Sequence, residues 1–121
     1  LRRLPINVKN LLDDKVLICK VNDISRLLLK NIRNVRPSIF MLGREKMYPI
    51  CKEISLKIKE IAYIHSEGYP SGSLKHGPFA MLSRDNFVIL LIDRKNREKL
   101  QSSFQEIKAR DSNIIIFSDC P

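Results

Sequence analysis

No C-x-x-C pair occurs in the chain. Its three cysteines, Cys19, Cys51 and Cys120, are odd in number and far apart. Zinc and thioredoxin-like chemistry are therefore excluded, and the simplest reading is reduced thiols in a cytosolic protein, each packing as a small apolar side chain. No apolar run approaches the roughly 18 residues a membrane helix needs, and Leu1–Leu4 is too short and too basic for a signal peptide. G-x-S-x-G, Walker and dinucleotide fingerprints are all missing, so no cofactor is expected. Two histidines, His65 and His76, have no spaced third ligand, so no metal is expected either. The formal charge is +9, yet the basic residues are scattered from Arg2 to Arg110 with no block of five or six. The few aromatics are not interleaved with them as a stacking platform would require. Charge of this kind is solvated background rather than a nucleic-acid or membrane surface.

What is present is enough for one core: 121 residues, 44% hydrophobic and 29% charged, an ordinary globular composition. Pro5–Leu12 and Lys15–Ile32 read as helices, Pro5 lying near a first helical turn, and Val35-Arg36-Pro37 breaks the second. Ser38–Leu42, Phe87–Ile92 and Asn113–Phe117 are short apolar runs of the kind that form buried parallel strands. Tyr48–Tyr63 is the clearest helix. Ile50, Ile54, Ile58 and Ile61 fall on one stripe of it, which is expected to face the core. His65–Gly77 reads as a loop punctuated by Gly68, Pro70, Gly72 and Gly77. Pro78–Leu82 is a short helix and Arg94–Ala109 a polar amphipathic one. Strands alternating with helices predict an α/β fold with a parallel sheet and right-handed crossovers. Ligands bind such sheets beyond the carboxyl ends of the strands, a place the 65–77 loop reaches only by folding back across the sheet. The start at Leu1 and the end at Cys120-Pro121 read as cuts in a longer protein, with residues 1–14 a connector from a preceding domain and 15–121 the domain proper.

Glu53, Lys57 and Glu60 share one face of the Tyr48–Tyr63 helix and border the isoleucine stripe, with Lys52 and Lys59 on the opposite side. Spacing alone supports an intrahelical salt bridge on a half-exposed face. The functional alternative is a charged pair where a core helix meets a cleft. His65, Glu67 and His76 add groups able to move protons. For His65, at a helix end, a capping role competes with catalysis, and His76 before Gly-Pro suits a solvated turn. Ser71 and Ser73 beside Gly72 are the nearest thing to a phosphate-cradling loop, and the signal is weak.

Ser55–Leu82, SLKIKEIAYIHSEGYPSGSLKHGPFAML, resembles the signature of the glucosamine-6-phosphate synthase family, which also goes by glutamine–fructose-6-phosphate aminotransferase (isomerising). The family pattern runs approximately E-G-A-L-K-(I/L)-K-E-I-(S/T)-Y-(I/M)-H-(A/S)-E, then G-E-L-K-H-G-P-L-A-L. FMLGREKMYP at Phe40–Pro49 is similar to the family's F-L-G-R-G-x-x-Y-P, and the opening LRRLP resembles its connector into the second isomerase half. The specific part of the resemblance is about forty residues, Phe40–Leu82.

The resemblance implies a phosphosugar-isomerase (SIS) fold, a three-layer α/β/α sandwich of parallel sheet between helices. It also implies a part in converting fructose 6-phosphate and glutamine-derived ammonia to glucosamine 6-phosphate in amino-sugar biosynthesis. By motif position Glu60 would shuttle a proton between C1 and C2, Lys57 would contact the sugar beside it, and His76 would open the ring in the site of a neighbouring subunit. Two departures stand out: Ser73 where the family has Glu, and Ile54 where it has Gly. The glutaminase domain, the first isomerase half with its phosphate loop, and the carboxy-terminal tail with a further lysine would have to come from the rest of a parent chain that forms a homo-oligomer in the cytoplasm. The 121 residues alone are then expected to be inactive. The rival reading is a non-catalytic SIS-type phosphosugar-binding regulator.

Overall fold

Asp14 divides two helices, because its carboxylate caps the second: Oδ1 accepts from the backbone N–H groups of Val16 at 2.9 Å and Leu17 at 3.0 Å, filling donors that the first turn leaves open. The helices are α1 (Leu4–Asp13) and α2 (Lys15–Ile32). This computed structural model describes residues 3–32 and 36–119; Val35 of the expected helix break, the side chain of Ile32 and Cys120 lie outside them. The chain separates into two compact units, Leu1–Val35 and Arg36–Pro121. In the first unit no residue of α1 is buried, and Val16, Ile18, Val21, Leu27 and Leu29 of α2 are exposed.

The second unit is built on four strands: β1 (Ile39–Gly43), β2 (Ser66–Pro70), β3 (Phe87–Ile92) and β4 (Asn113–Ser118). All pair in parallel, in the order β2-β1-β3-β4. α3 (Met47–Ala62) joins β1 to β2, 3-10 helices at Ser71–His76 and Pro78–Met81 lead to β3, and α4 (Arg97–Lys108), after a 3-10 turn at Arg94–Asn96, leads to β4. Parallel strands buried on both faces carry continuous apolar runs, and every residue of β1 is buried.

Alternation along the strands divides the core into two layers. Phe40, Leu42, Val88 and Leu90 point to one face and cluster with Leu74 of the first 3-10 helix, Leu82 just after the second, and Ile107 of α4. Ile39, Met41 and Gly43 point to the other face, where α3 lies. The α/β/α sandwich expected from the sequence is the architecture observed. One strand, however, was hidden. Ser66–Pro70 falls inside the segment expected to be a loop, and its Gly68, Pro70 and Glu67 give it none of the apolar continuity of the others. As an edge strand it needs none. It is also the means by which the chain recrosses the sheet, so the 3-10 helix ending at His76 stands at the carboxyl ends of the strands.

α3 corrects a second expectation. The isoleucine stripe does not face the sheet squarely: Ile54 and Ile58 are half-buried, but Ile50 is 45% exposed and Ile61 76%. The buried residues are Cys51 and Ser55. The cause is the closeness of the helix. A Cβ on Gly43 would lie 2.7 Å from Cys51 Sγ and 2.8 Å from Met47 C and O, and one on Gly68 would lie 2.7 Å from the backbone nitrogen of Lys52. At that approach only small side chains fit between helix and sheet, and bulk is turned outward.

Candidate active site

Lys57 and Glu60 lie on the outer side of α3 near its carboxyl end. Lys57 Nζ donates to Glu60 Oε2 at 2.7 Å, and Glu53 Oε1 stands 3.8 Å away on the other side. Both side chains of the shorter pair are half-exposed. The hydrogen bond to Glu60, and then its charge, raise the Lys57 ammonium above its ordinary value, so the lysine stays protonated throughout the physiological range. Beside the pair lies a shallow open depression of about 320 Å3 lined by Glu53, Ile54, Lys57, Ile58, Ile61 and Ala62. Ile54, which the resemblance placed on an inward-packing face, lines this outer shelf instead. Lys57 therefore lays its stem along an apolar surface while its ammonium and the Glu60 carboxylate stay half-exposed to water.

His76 does not share that place. It ends the 3-10 helix Ser71–His76 and is exposed; among the described residues its side chain makes no hydrogen bond or ion pair. Because α3 runs from the carboxyl end of β1 back to the amino end of β2, Glu60 lies near the amino ends of the strands and His76 beyond their carboxyl ends. Five residues of β2 intervene, roughly 15 Å of strand. Within one chain Lys57 and Glu60 meet each other, and His76 meets neither.

The other candidates have structural partners. His65 lies beyond α3, and its Nδ1 is 2.9 Å from Ser38 Oγ, tying the entry of β2 to that of β1. Its Nε2 is 3.6 Å from Glu67 Oε1, and Tyr69 donates its hydroxyl to Glu67 Oε2. That hydrogen bond, with the nearby His65 and Lys59 acting against desolvation, holds the Glu67 carboxyl below its usual range and pushes the Tyr69 phenol up. Ser71 is buried, so its hydroxyl offers nothing to an outside phosphate. Cys51 is buried and its thiol is pushed up to about 11 by desolvation, whereas Cys19 is exposed.

Sequence reading missed a polar network at the carboxyl ends of β1 and β3, where the strand order reverses and open α/β sheets take ligands. Lys46 Nζ stands 3.6 Å from Asp93 Oδ2, and Lys95 Nζ donates to Glu45 Oε2 at 2.9 Å. The two pairs thus link the β1–α3 turn to the β3–α4 turn in both directions. Asp93 is buried, and its Oδ1 accepts from the backbone and side-chain nitrogens of Asn96 at 3.1 and 2.9 Å. Those bonds, with Lys46, hold its carboxyl below the usual value. The D-x-x-N spacing of Asp93 and Asn96 after an apolar strand is the signal that was available, since it caps the turn leading into α4.

The SIS domain family matches residues 31–121. The chain belongs to that family. A glutamine–fructose-6-phosphate aminotransferase (isomerizing) of Pseudomonas putida is 46% identical over 79 residues, which cover 64% of this chain and 13% of that protein. The one from Wigglesworthia glossinidia brevipalpis is 40% identical over 107 residues, 88% of this chain and 17% of that protein. Among solved structures, the C-terminal domain of glucosamine-fructose-6-phosphate aminotransferase from Francisella tularensis superposes with a TM-score of 0.71 at 36% identity, covering 80% of this chain and 27% of that one. This SIS domain therefore spans less than a fifth of the curated relatives it resembles.

Proposed function

We propose that this SIS domain is the second isomerase half of a glutamine–fructose-6-phosphate aminotransferase, with residues 1–14 a connector from the first half. In this reading the parent enzyme makes glucosamine 6-phosphate in the cytoplasm from fructose 6-phosphate and glutamine-derived ammonia. Glu60 takes a proton from C1 of the open-chain sugar and returns one to C2. Lys57, charged and hydrogen-bonded to Glu60, orients that carboxylate and contacts the substrate. His76 gives a proton to the ring oxygen and takes one from the hydroxyl during ring opening.

The observation that carries the reading is the Lys57–Glu60 pair, held at 2.7 Å with Lys57 at an apolar shelf instead of spent on a core contact. The separation of His76 from that pair in one chain supports its service to a neighbouring subunit's site. The cation on the shelf, Lys57, is engaged by Glu60, in keeping with a phosphate loop supplied by the first isomerase half. The 121 residues alone then make no product.

The test is made in the full-length enzyme that carries this domain. Glu60→Gln keeps the hydrogen-bonding shape and removes the base, and turnover is expected to fall by about 10²–10⁴ with fructose 6-phosphate binding retained. Co-assembly of Glu60→Gln and His76→Ala subunits restores activity that neither variant has alone. Turnover undiminished by Glu60→Gln would instead favour a phosphosugar-binding module without chemistry.

A further inference from the structure

At the carboxyl ends of β1 and β3 a buried carboxylate is only half used. Asp93 is 3% exposed. Its Oδ1 takes both nitrogens of Asn96, whereas among the described residues its Oδ2 has no hydrogen-bond donor. The amide is fixed in that sense. Its Nδ2 serves Asp93, and it also steadies the Glu45 carboxylate, so a turned Asn96 would set oxygen against both acids. Lys46 Nζ, 3.6 Å from Asp93 Oδ2, supplies charge but no hydrogen bond. An unsatisfied buried acceptor at the place where such sheets take ligands calls for a donor from outside the chain.

The charge around it is positive. Lys46 and Lys95 are largely exposed, and Arg44 and Arg94 belong to the same two turns. Within those turns only Glu45 and Asp93 oppose them. Glu45 is the odd member. Its φ of 49° lies in the left-handed region, where a side chain is strained, and the family pattern F-L-G-R-G-x-x-Y-P has glycine at its position. This strained residue spends its carboxylate on Lys95, at 2.9 Å, as an anion bound from solution would. We propose that the cluster binds hydrogen phosphate: Lys46 and Lys95 take its charge, Asp93 Oδ2 accepts its O–H, and Glu45 is the carboxylate it displaces from Lys95.

The acceptor selects the ligand. A carboxylate repels a fully ionised oxyanion and accepts a charge-assisted bond from one that keeps a proton. At about pH 8 a phosphomonoester has lost its last proton and sulfate has none, while free phosphate retains one O–H. Free phosphate is therefore the ligand, not a sugar phosphate. Lys57 and Glu60 lie toward the other end of α3, roughly 16 Å along the helix from Lys46, and the site does not depend on the sugar-phosphate reading.

Isothermal titration calorimetry of the 121-residue chain with sodium phosphate, sodium sulfate and methyl phosphate, at about pH 8 and matched ionic strength, reads the site. Phosphate is expected to bind at least about tenfold more tightly than either of the others, the margin of one hydrogen bond to a charged group. Asp93→Asn is expected to erase that margin. Glu45→Gly, which frees Lys95 and relieves the strained backbone, is expected to tighten phosphate by about two- to fivefold, and Lys59→Ala, on α3 away from the cluster, to leave binding unchanged. No binding of phosphate, equal affinity for the three anions, or phosphate binding weakened by Glu45→Gly or lost with Lys59→Ala overturns the proposal. If Asp93→Asn fails to fold by circular dichroism, the order of the three anions on the unaltered chain decides: sulfate or methyl phosphate bound as tightly as phosphate overturns it.

Discussion

Replacing Gly68 by alanine adds a single methyl group, and the structure says where it lands. The new Cβ would sit 2.7 Å from the backbone nitrogen of Lys52, 2.9 Å from Cys51 C and 2.9 Å from Lys52 Cα. These are backbone atoms in the first turns of α3, so no rotamer change relieves the clash. Restoring ordinary contact at 3.4 Å or beyond requires α3 to move off β2 by about 0.7 Å. The helix also packs on β1, and its buried Cys51 and Ser55 lose close contact when it lifts. Overpacking of this kind costs about 1–3 kcal/mol, and the meeting of three backbone atoms puts Gly68→Ala near the upper figure. For a domain of this size that lowers Tm by at least about 10 °C. Gly72→Ala is the control, because nothing lies within 4 Å of a Cβ there, and its Tm should stay within about 3 °C of the parent. Thermal unfolding followed by circular dichroism measures both. A Gly68→Ala protein as stable as Gly72→Ala would refute the claim that close helix–sheet contact sets the position of α3.

Tyr63 ends α3 in the left-handed conformation at φ 55° and is exposed, so Tyr63→Gly should stabilise the fold by about 0.5–1 kcal/mol, read from chemical denaturation. Iodoacetamide at mildly alkaline pH should label Cys19 and spare Cys51 until the chain unfolds, as peptide mass spectrometry would show; equal labelling in the native protein would contradict the burial of Cys51. Stability should also decline as pH climbs from about 9 to about 11, because the unfolded chain loses the Cys51 proton near 9.0 while the folded chain keeps it to about 11. Cys51→Ala should flatten that decline in urea titrations.

Much of this fold was legible because its signals are local. Apolar runs at Phe87–Ile92 and Asn113–Phe117, and breaks at Gly43 and Pro37, mark elements that parallel sheets bury on both faces. β2 was not legible, since an edge strand is held by its neighbour's ladder and its own Glu67, Gly68 and Pro70 read as turn residues. The orientation of α3 was misjudged for a related reason. A periodic isoleucine stripe has the form of a buried face, and what overrides it is a distance to Gly43 and Gly68 that only the assembled sheet defines. Lys57 and Glu60 were found by their spacing and meet as spacing allows. Their separation from His76 depends on β2 and so was hidden with it. The Lys46–Asp93 and Lys95–Glu45 pairs join turns about fifty residues apart, and no local pattern announces a contact of that range.

Those two reciprocal ion pairs have a consequence for traffic at the carboxyl ends of the strands. A solute arriving where β1 and β3 diverge meets a fastened clasp instead of an open mouth, and admission requires unfastening it. Exposed lysine–carboxylate contacts weaken as electrolyte accumulates, so salt should loosen the clasp, and with it the half-exposed Lys57–Glu60 pair near the far end of α3. Both ends of one small sheet would then answer to the same feature of the surrounding solution.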